Sequence, residues 1–369
     1  MTSALQHLTR ALPFWVSLTI VPLIILGAVK GGWTLFLVPL YGWGCFPLLD
    51  RLTGLDRSSL DPETPDSGIF WYRLITLIWF PVQATVTFGA IYWVTATDHL
   101  SGIEQVGLFF GIGVLSGAIG ITYAHELIHQ RSKLERTLGD LLLASVLYSH
   151  FRTEHLLVHH LHVATPKDPV TARYNESFPH FFARVLRDSL ASAWETETGR
   201  LERRGRQWWD SRNPFWVYGA LQGGFLLLAF LIGGWTGVGL FVVQAAVAIW
   251  QLELVNYIEH YGLTRRPLGN GRYEHTKPHH SWNATTRATN WLLINLQRHS
   301  DHHFKPDRRF PLLKTYDESD APQLPYGYAV MTTAAMIPPL FRRLMNPRVR
   351  AWRRQFYPDV TDWTPAKGA

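Results

Sequence analysis

Cysteine is almost missing from this chain. Of 369 residues only Cys45 is a cysteine, so no disulfide forms within the chain, and thiolate-bound zinc fingers and iron–sulfur clusters are excluded. Lysine and arginine are missing from two stretches between apolar runs, residues 95–104 and 233–237. An isoelectric point near 9.5 by itself suits a nucleic-acid binder. The basic residues, however, flank apolar runs instead of forming a tail, which is the pattern of a membrane protein, so no nucleic-acid partner is expected. A mean hydropathy of −0.02 averages two populations, long apolar segments and a polar half that carries the histidines.

Six apolar runs meet or approach the roughly 20 residues a spanning helix needs: 12–29, 33–49, 69–94, 106–124, 215–235 and 237–257. The first lacks a small-residue cleavage site and leads through Lys30-Gly31-Gly32 into the second, so it reads as half of a retained hairpin, not a signal peptide. Leu141–Tyr148 is too short to span and should be buried or interfacial. Tyr326–Phe341, broken by Pro338-Pro339, should be interfacial. The expected class is all-α: a polytopic membrane protein with six transmembrane helices, one domain over residues 1–369, and His-rich segments at 125–213 and 260–325. Those segments and the Arg-rich tail hold nearly all the lysines and arginines, which places both termini and every histidine cluster on the cytoplasmic side. The arginines of 342–354 are expected to touch anionic lipid head groups.

The 17 histidines are not scattered. His125 and His129 are four apart. His155, His159 and His160 repeat that spacing, and His299, His302 and His303 follow at i, i+3 and i+4. Residues so spaced share a helix face, and their rings can converge on one ion. His260 closes the sixth run. These nine imidazoles suffice for two metals with four or five nitrogens each. Imidazole suits Zn, Cu, Fe or Ni; the membrane setting and missing thiolates favour oxygen chemistry on iron. His125-Glu126-Leu127-Ile128-His129 also matches the H-E-x-x-H zinc protease helix, with Glu126 as general base. One zinc takes three protein ligands, which would leave the other clusters without a role, and no downstream Asp-Gly element supplies a third ligand. Glu126, Glu154, Glu259 and Asp301 adjoin the clusters and are candidates to orient the rings from behind. His162, His275, His279 and His280 read as structural, and His7, His99, His150 and His180 as ordinary.

Three segments carry a family resemblance: Asn256-Tyr257-Ile258-Glu259-His260-Tyr261-Gly262-Leu263, Gly271-Arg272-Tyr273-Glu274-His275-x-x-Pro278-His279-His280-Ser281-Trp282-Asn283, and Leu296-Gln297-Arg298-His299-Ser300-Asp301-His302-His303. Together they resemble the membrane-bound alkane 1-monooxygenases. That group belongs to the integral-membrane di-iron superfamily, with the fatty acid desaturases and xylene side-chain monooxygenases. Residues 163–169 and 322–328 are similar to that family too. The resemblance implies two non-haem irons held by His125, His129, His155, His159, His160, His260, His299, His302 and His303. It implies O₂-dependent hydroxylation of a terminal methyl group in the bacterial inner membrane. Electrons would come from rubredoxin, served by an NAD(P)H-dependent rubredoxin reductase. Rubredoxin is expected as a separate chain, because its iron takes four cysteines. Arg131, Lys133, Arg200, Arg203, Arg204 and Arg206 form the expected basic face for it.

The chain departs from many relatives at Ile128 and Val158, where glycine is common. Bulk there bears on a substrate pocket and keeps open a hydroxylase of alkyl-aromatic methyls. A desaturase using the same irons is the other enzymatic alternative. A metal sensor or transporter would consume no O₂.

Overall fold

The computed structural model describes residues 3–363. Among the described residues, five helical segments are long and apolar enough to cross a membrane: Leu5–Lys30, Gly32–Thr53, Asp66–Thr97, Gly102–Ile128 and Phe215–His260. The last has 46 residues, roughly 69 Å at 1.5 Å per residue, against a hydrocarbon core of about 30 Å. It folds back on itself. Gly233 (φ −131°, ψ 16°) and Gly234 (φ 58°, ψ −150°) leave the helical region, and the rings of Phe225 and Phe241 meet at 6.5 Å. A Cβ on Gly237 would lie 2.4 Å from the Ala229 carbonyl oxygen, so the halves approach only because that residue is glycine. The expected runs 215–235 and 237–257 are thus two arms of one helical hairpin.

Helical pairing extends the other runs past their apolar limits. The first helical segment begins at Leu5 and the second continues to Thr53. The fourth continues to Ile128, so His125 sits inside its last turn and not beyond it.

Three reversals gather at one end of the bundle. Gly31 (φ 64°) and Gly32 (φ 57°) turn the first hairpin. The Glu104 carboxylate accepts the Gly32 N–H and the Ser101 N–H, each at 2.9 Å, which ties that turn to the loop before Gly102. Gly233 packs on Ile91 and Thr95, so the third reversal adjoins the end of the Phe70–Thr97 helix. The Gly102–Ile128 segment starts at this end and delivers His125 to the other. It is the central helix: 78% of its apolar window is buried, against 44% for the next most buried segment. Gly117 allows this, since a Cβ there would lie 2.9 Å from the Ala248 backbone.

The histidine end is capped by Lys133–Ala144, Phe178–Glu202, Tyr328–Ala335 and Pro338–Phe356. The expected patch 141–148 closes the first of these, with Leu142, Leu143, Val146 and Tyr148 buried. The stretch 326–341, expected to be interfacial, splits at Ile337, and Pro338 and Pro339 open the next helix, where a missing N–H costs no hydrogen bond. The described residues are mostly helical, with one small exception. Pro267–Gly269 pairs antiparallel with Arg272–Tyr273 across Asn270 (φ 53°) and Gly271 (φ 67°), an Asn-Gly hairpin turn that the sequence spells out. The chain's two ends, expected on the cytoplasmic side, lie outside the described residues.

Candidate metal centre

Each histidine cluster arrives on its own element. His125 ends the central helix and His129 caps it. His155–His159 form a π-helical segment running into His160, a local widening frequent at functional sites. His260 ends the long hairpin. His299, His302 and His303 lie on the short helix His299–Phe304.

The nitrogens converge in two groups. In the first, His129 Nε2 and His155 Nε2 are 3.0 Å apart, His155 Nε2 and His160 Nε2 3.0 Å, and His160 Nε2 and His302 Nε2 3.1 Å. The His125 ring lies 4.5 Å from that of His155 and 4.3 Å from that of His302, and its buried Nε2 has no hydrogen-bond partner. In the second, His159 Nε2 is 3.2 Å from His303 Nε2, His303 Nε2 3.0 Å from His299 Nε2, and His299 Nε2 3.1 Å from His260 Nε2. All nine sequence-predicted histidines are therefore brought together, five and four. The segments 155–160 and 299–303 each serve both groups.

These distances carry a chemical meaning. Two nitrogens bound at right angles to one ion, each at about 2.1 Å, lie about 3.0 Å apart. A neutral imidazole has one N–H and one lone pair. His155 and His160 each meet two neighbours through one Nε2, and a single proton cannot serve both fully. One cation accepts every lone pair. The lone pairs are free to bind: burial first, then mutual repulsion, holds His155, His160, His299, His302 and His303 well below the usual imidazole range, and pushes His129 down to about 3. The donor set thus fits two cations.

The carboxylates divide differently from expectation. Of the four expected, only Glu259 touches a clustered ring: its Oε2 is 3.3 Å from His299 Nε2, while Tyr328 Oη donates to Oε1 at 2.7 Å. Asp301 accepts the Lys314 N–H and Tyr316 Oη–H and pairs with Arg308, which fixes the His299–Phe304 helix. Glu126 accepts from Gln130 Nε2 and the Phe310 N–H, away from the rings, so it is not placed as the base of a zinc protease. Both Glu154 oxygens are buried without hydrogen bonds, and burial pushes its carboxyl well above the usual range.

The sequence reading missed Asp168, Tyr328 and Phe151. Asp168 Oδ2 accepts from His159 Nδ1 at 2.9 Å, the contact that turns a ring's other nitrogen toward a metal. Burial alone would raise the Asp168 carboxyl, but His159 and the Thr171 hydroxyl hold it below the usual range. Phe151 stacks on His155 at 4.9 Å. The available signal was position: Asp168 and Tyr328 fall in the 163–169 and 322–328 stretches.

Glu274, His279 and His280 also cluster. His280 Nδ1 accepts the Lys277 N–H, so its Nε2 carries the proton and donates to Tyr357 Oη at 2.6 Å. Tyr357 in turn donates to Glu274. This cluster fastens the C-terminal segment and offers no free lone pair on His280.

An apolar cavity runs along the bundle to both histidine groups. Trp43, Phe46, Val114, Leu252 and Leu292 line it, with His125, His155, His299 and Glu259. Val114 and His125 lie on one helix, roughly 16 Å apart along its axis. Ile128 and Val158 are not among its walls. Ile128 packs instead toward Gly139, where a Cβ would be 2.8 Å from its Cγ2.

Comparison with known proteins shows the family. The fatty acid desaturase family matches residues 101–335. Alkane 1-monooxygenase 2 of Pseudomonas aeruginosa is 41% identical over 315 residues, 84% of this chain and 82% of that one. Alkane 1-monooxygenase 2 of Alcanivorax borkumensis is 39% identical over 349 residues, 92% and 90% of the two chains. The hydroxylase component of the Pseudomonas putida xylene/toluene monooxygenase is 28% identical over 259 residues, 69% and 67%. The chain belongs to the fatty acid desaturase family and, within it, to the alkane 1-monooxygenases.

Proposed function

We propose that this protein hydroxylates the terminal methyl group of medium-chain n-alkanes. The overall change is R–CH₃ + O₂ + 2 e⁻ + 2 H⁺ → R–CH₂OH + H₂O. The observation that carries this reading is the apolar cavity whose walls include histidines of both groups. A methyl C–H bond offers no charge to grip, so binding rests on burial, about 0.8 kcal/mol per CH₂, and on holding the chain end at a fixed place. Trp43, Phe46, Val114 and Leu252 supply the apolar wall, and Phe151, stacked on His155, fixes that ring at the cavity surface.

In this proposal the nine histidines hold two irons, His125, His129, His155, His160 and His302 one of them and His159, His260, His299 and His303 the other. Bound iron would supply O₂ activation. Asp168 orients His159, and Tyr328 keeps the Glu259 carboxylate directed at His299. Electrons come from a separate reduced rubredoxin, replenished by rubredoxin reductase. The exposed Arg131, loosely paired with Asp307 at 3.8 Å, and Lys133 follow the first histidine pair and steer that acidic carrier. The helical hairpin at Gly233–Gly234 and the three reversals at one end support six membrane crossings. The Lys/Arg bias supports an inner-membrane protein with its histidine end in the cytoplasm.

The likeness to the xylene/toluene monooxygenase component keeps alkyl-aromatic methyls as the second substrate reading. Gas chromatography of products from n-octane and from an alkyl-aromatic, with reduced rubredoxin present, decides. A 1-alkanol as the preferred product supports the proposal, a benzylic alcohol the second reading, and an alkene a desaturase.

A further inference from the structure

We propose that a groove beside the Phe215 end of the long hairpin holds the phosphate head group of an anionic membrane phospholipid. The groove lies between Phe178–Glu202, the 152–157 turn and the start of the hairpin, and Arg152, Arg200, Arg204 and Arg212 line it with two carboxylates, Asp140 and Glu197. Both carboxylates are already matched: Asp140 pairs with Arg152, and Glu197 with Arg200 at 3.0 Å. Arg204 and Arg212 are exposed and have no acidic partner among the described residues. The groove therefore carries two unmatched positive charges.

The rest of its wall is apolar. Leu156, Leu157, Leu201, Pro214 and Val217 stand beside the guanidinium groups. A phosphate with an acyl chain below it matches that mixture, which a free anion does not need. Depth supports the same occupant. Pro214 and Val217 flank the first residue of the Phe215–His260 apolar segment, so the groove sits where hydrocarbon gives way to head groups. Trp208, Trp209 and Trp216 are exposed there and touch through their rings at 5.5 and 6.4 Å, an aromatic belt of the membrane interface. Basic pockets between transmembrane helices on the cytoplasmic side recognise anionic head groups in this way. An acidic soluble protein would have to approach these cations past exposed Trp216 and Val217.

The groove also touches the histidine scaffold from behind. Leu156 and Leu157 belong to the π-helical segment His155–His159. Thr153, on the groove wall, bonds Glu197 at 3.0 Å and Tyr218 Oη at 2.9 Å. A bound lipid thus braces the outer side of the segment that presents His155 and His159.

Native mass spectrometry of the delipidated full-length protein tests this, with phosphatidylglycerol and phosphatidylcholine as probes. The expected result is one tightly retained phosphatidylglycerol that neither phosphatidylcholine nor excess inorganic phosphate displaces. Changing Arg204 and Arg212 together to Gln should weaken it roughly thirtyfold, the effect of two interfacial charges. The same pair changed to Lys should retain it, and so should Arg272→Gln on the β-hairpin. Unchanged melting of the Gln pair shows that it still folds; if it melts early, the Lys pair against wild type, read at rising salt, carries the comparison. Equal retention of both lipids, full binding by the Gln pair, or displacement by inorganic phosphate overturns the proposal. So does a Gln pair that keeps its lipid but turns over slowly at limiting rubredoxin, which would make the groove a protein-docking face.

Discussion

Glu259 Oε2 lies 3.3 Å from His299 Nε2, on the wall of the apolar cavity, with Tyr328 Oη donating to the other carboxylate oxygen. An acidic oxygen thus faces the four-histidine group and not the five-histidine one. Glu259→Gln keeps the shape and the Tyr328 bond but removes the charge. It is expected to lower metal affinity, because the carboxylate lies beside the His299 nitrogen that faces the cation and adds an anionic oxygen to the four-nitrogen group. Metal analysis and single-turnover rates on the variant check this. Unchanged values would mean that Glu259 serves only to bond Tyr328.

Asp168 acts one step behind the rings. Its Oδ2 holds His159 Nδ1 at 2.9 Å and the Thr171 hydroxyl at 2.6 Å. Asp168→Asn leaves a neutral partner that sets the imidazole tautomer less firmly. Metal binding by the four-histidine group should weaken by about 10- to 100-fold, read by competition with a chelator. Equal chelator resistance in variant and wild type would remove Asp168 from this role.

The grouping into five and four predicts a pattern of losses. Purified protein should hold about two irons, as two imidazole-rich sites would. His129→Ala or His160→Ala should empty the first group, and His260→Ala or His303→Ala the second, each abolishing turnover. Full activity in His303→Ala would remove that position from the centre. His99 is a control: it bonds Thr97 Oγ1 and the Ala28 carbonyl near the loop end of the bundle. His99→Ala should keep both irons and cost only about 1 kcal/mol of stability.

Steering by exposed cations is sensitive to salt. Arg131 and Lys133 are exposed, so the proposed attraction to an acidic rubredoxin should weaken as the Debye length falls from roughly 10 Å at 0.1 M to about 3 Å at 1 M. Turnover at limiting rubredoxin should fall across that range, and changing both residues to Gln should flatten the dependence. A salt response identical in the variant would put the docking surface elsewhere.

Much of the centre is written in local spacing. His125 with His129, and His299 with His303, are four residues apart, and helical geometry alone turns such pairs to one side. The allotment to two groups was not legible. The π-helical turn at His155–His159 rotates His159 toward His303 while His155 and His160 stay with His129 and His302, and no side-chain pattern announces that turn. Ile128 was expected to bear on a substrate pocket, yet its contact is with the Lys133–Ala144 helix at Gly139. Asp168 and Tyr328 were hidden for the opposite reason: their partners His159 and Glu259 are brought near only by tertiary packing. The sixth apolar run was legible from composition, whereas the reversal before it depends on the φ of 58° at Gly234.

The most direct measurement supplies the metal-loaded protein with n-octane, reduced rubredoxin and isotope-labelled O₂, and follows the label by mass spectrometry. The account predicts 1-octanol carrying one labelled oxygen atom, with O₂ consumed in step with product and none formed by His260→Ala. Octene, unlabelled alcohol, or no O₂ consumption would contradict it.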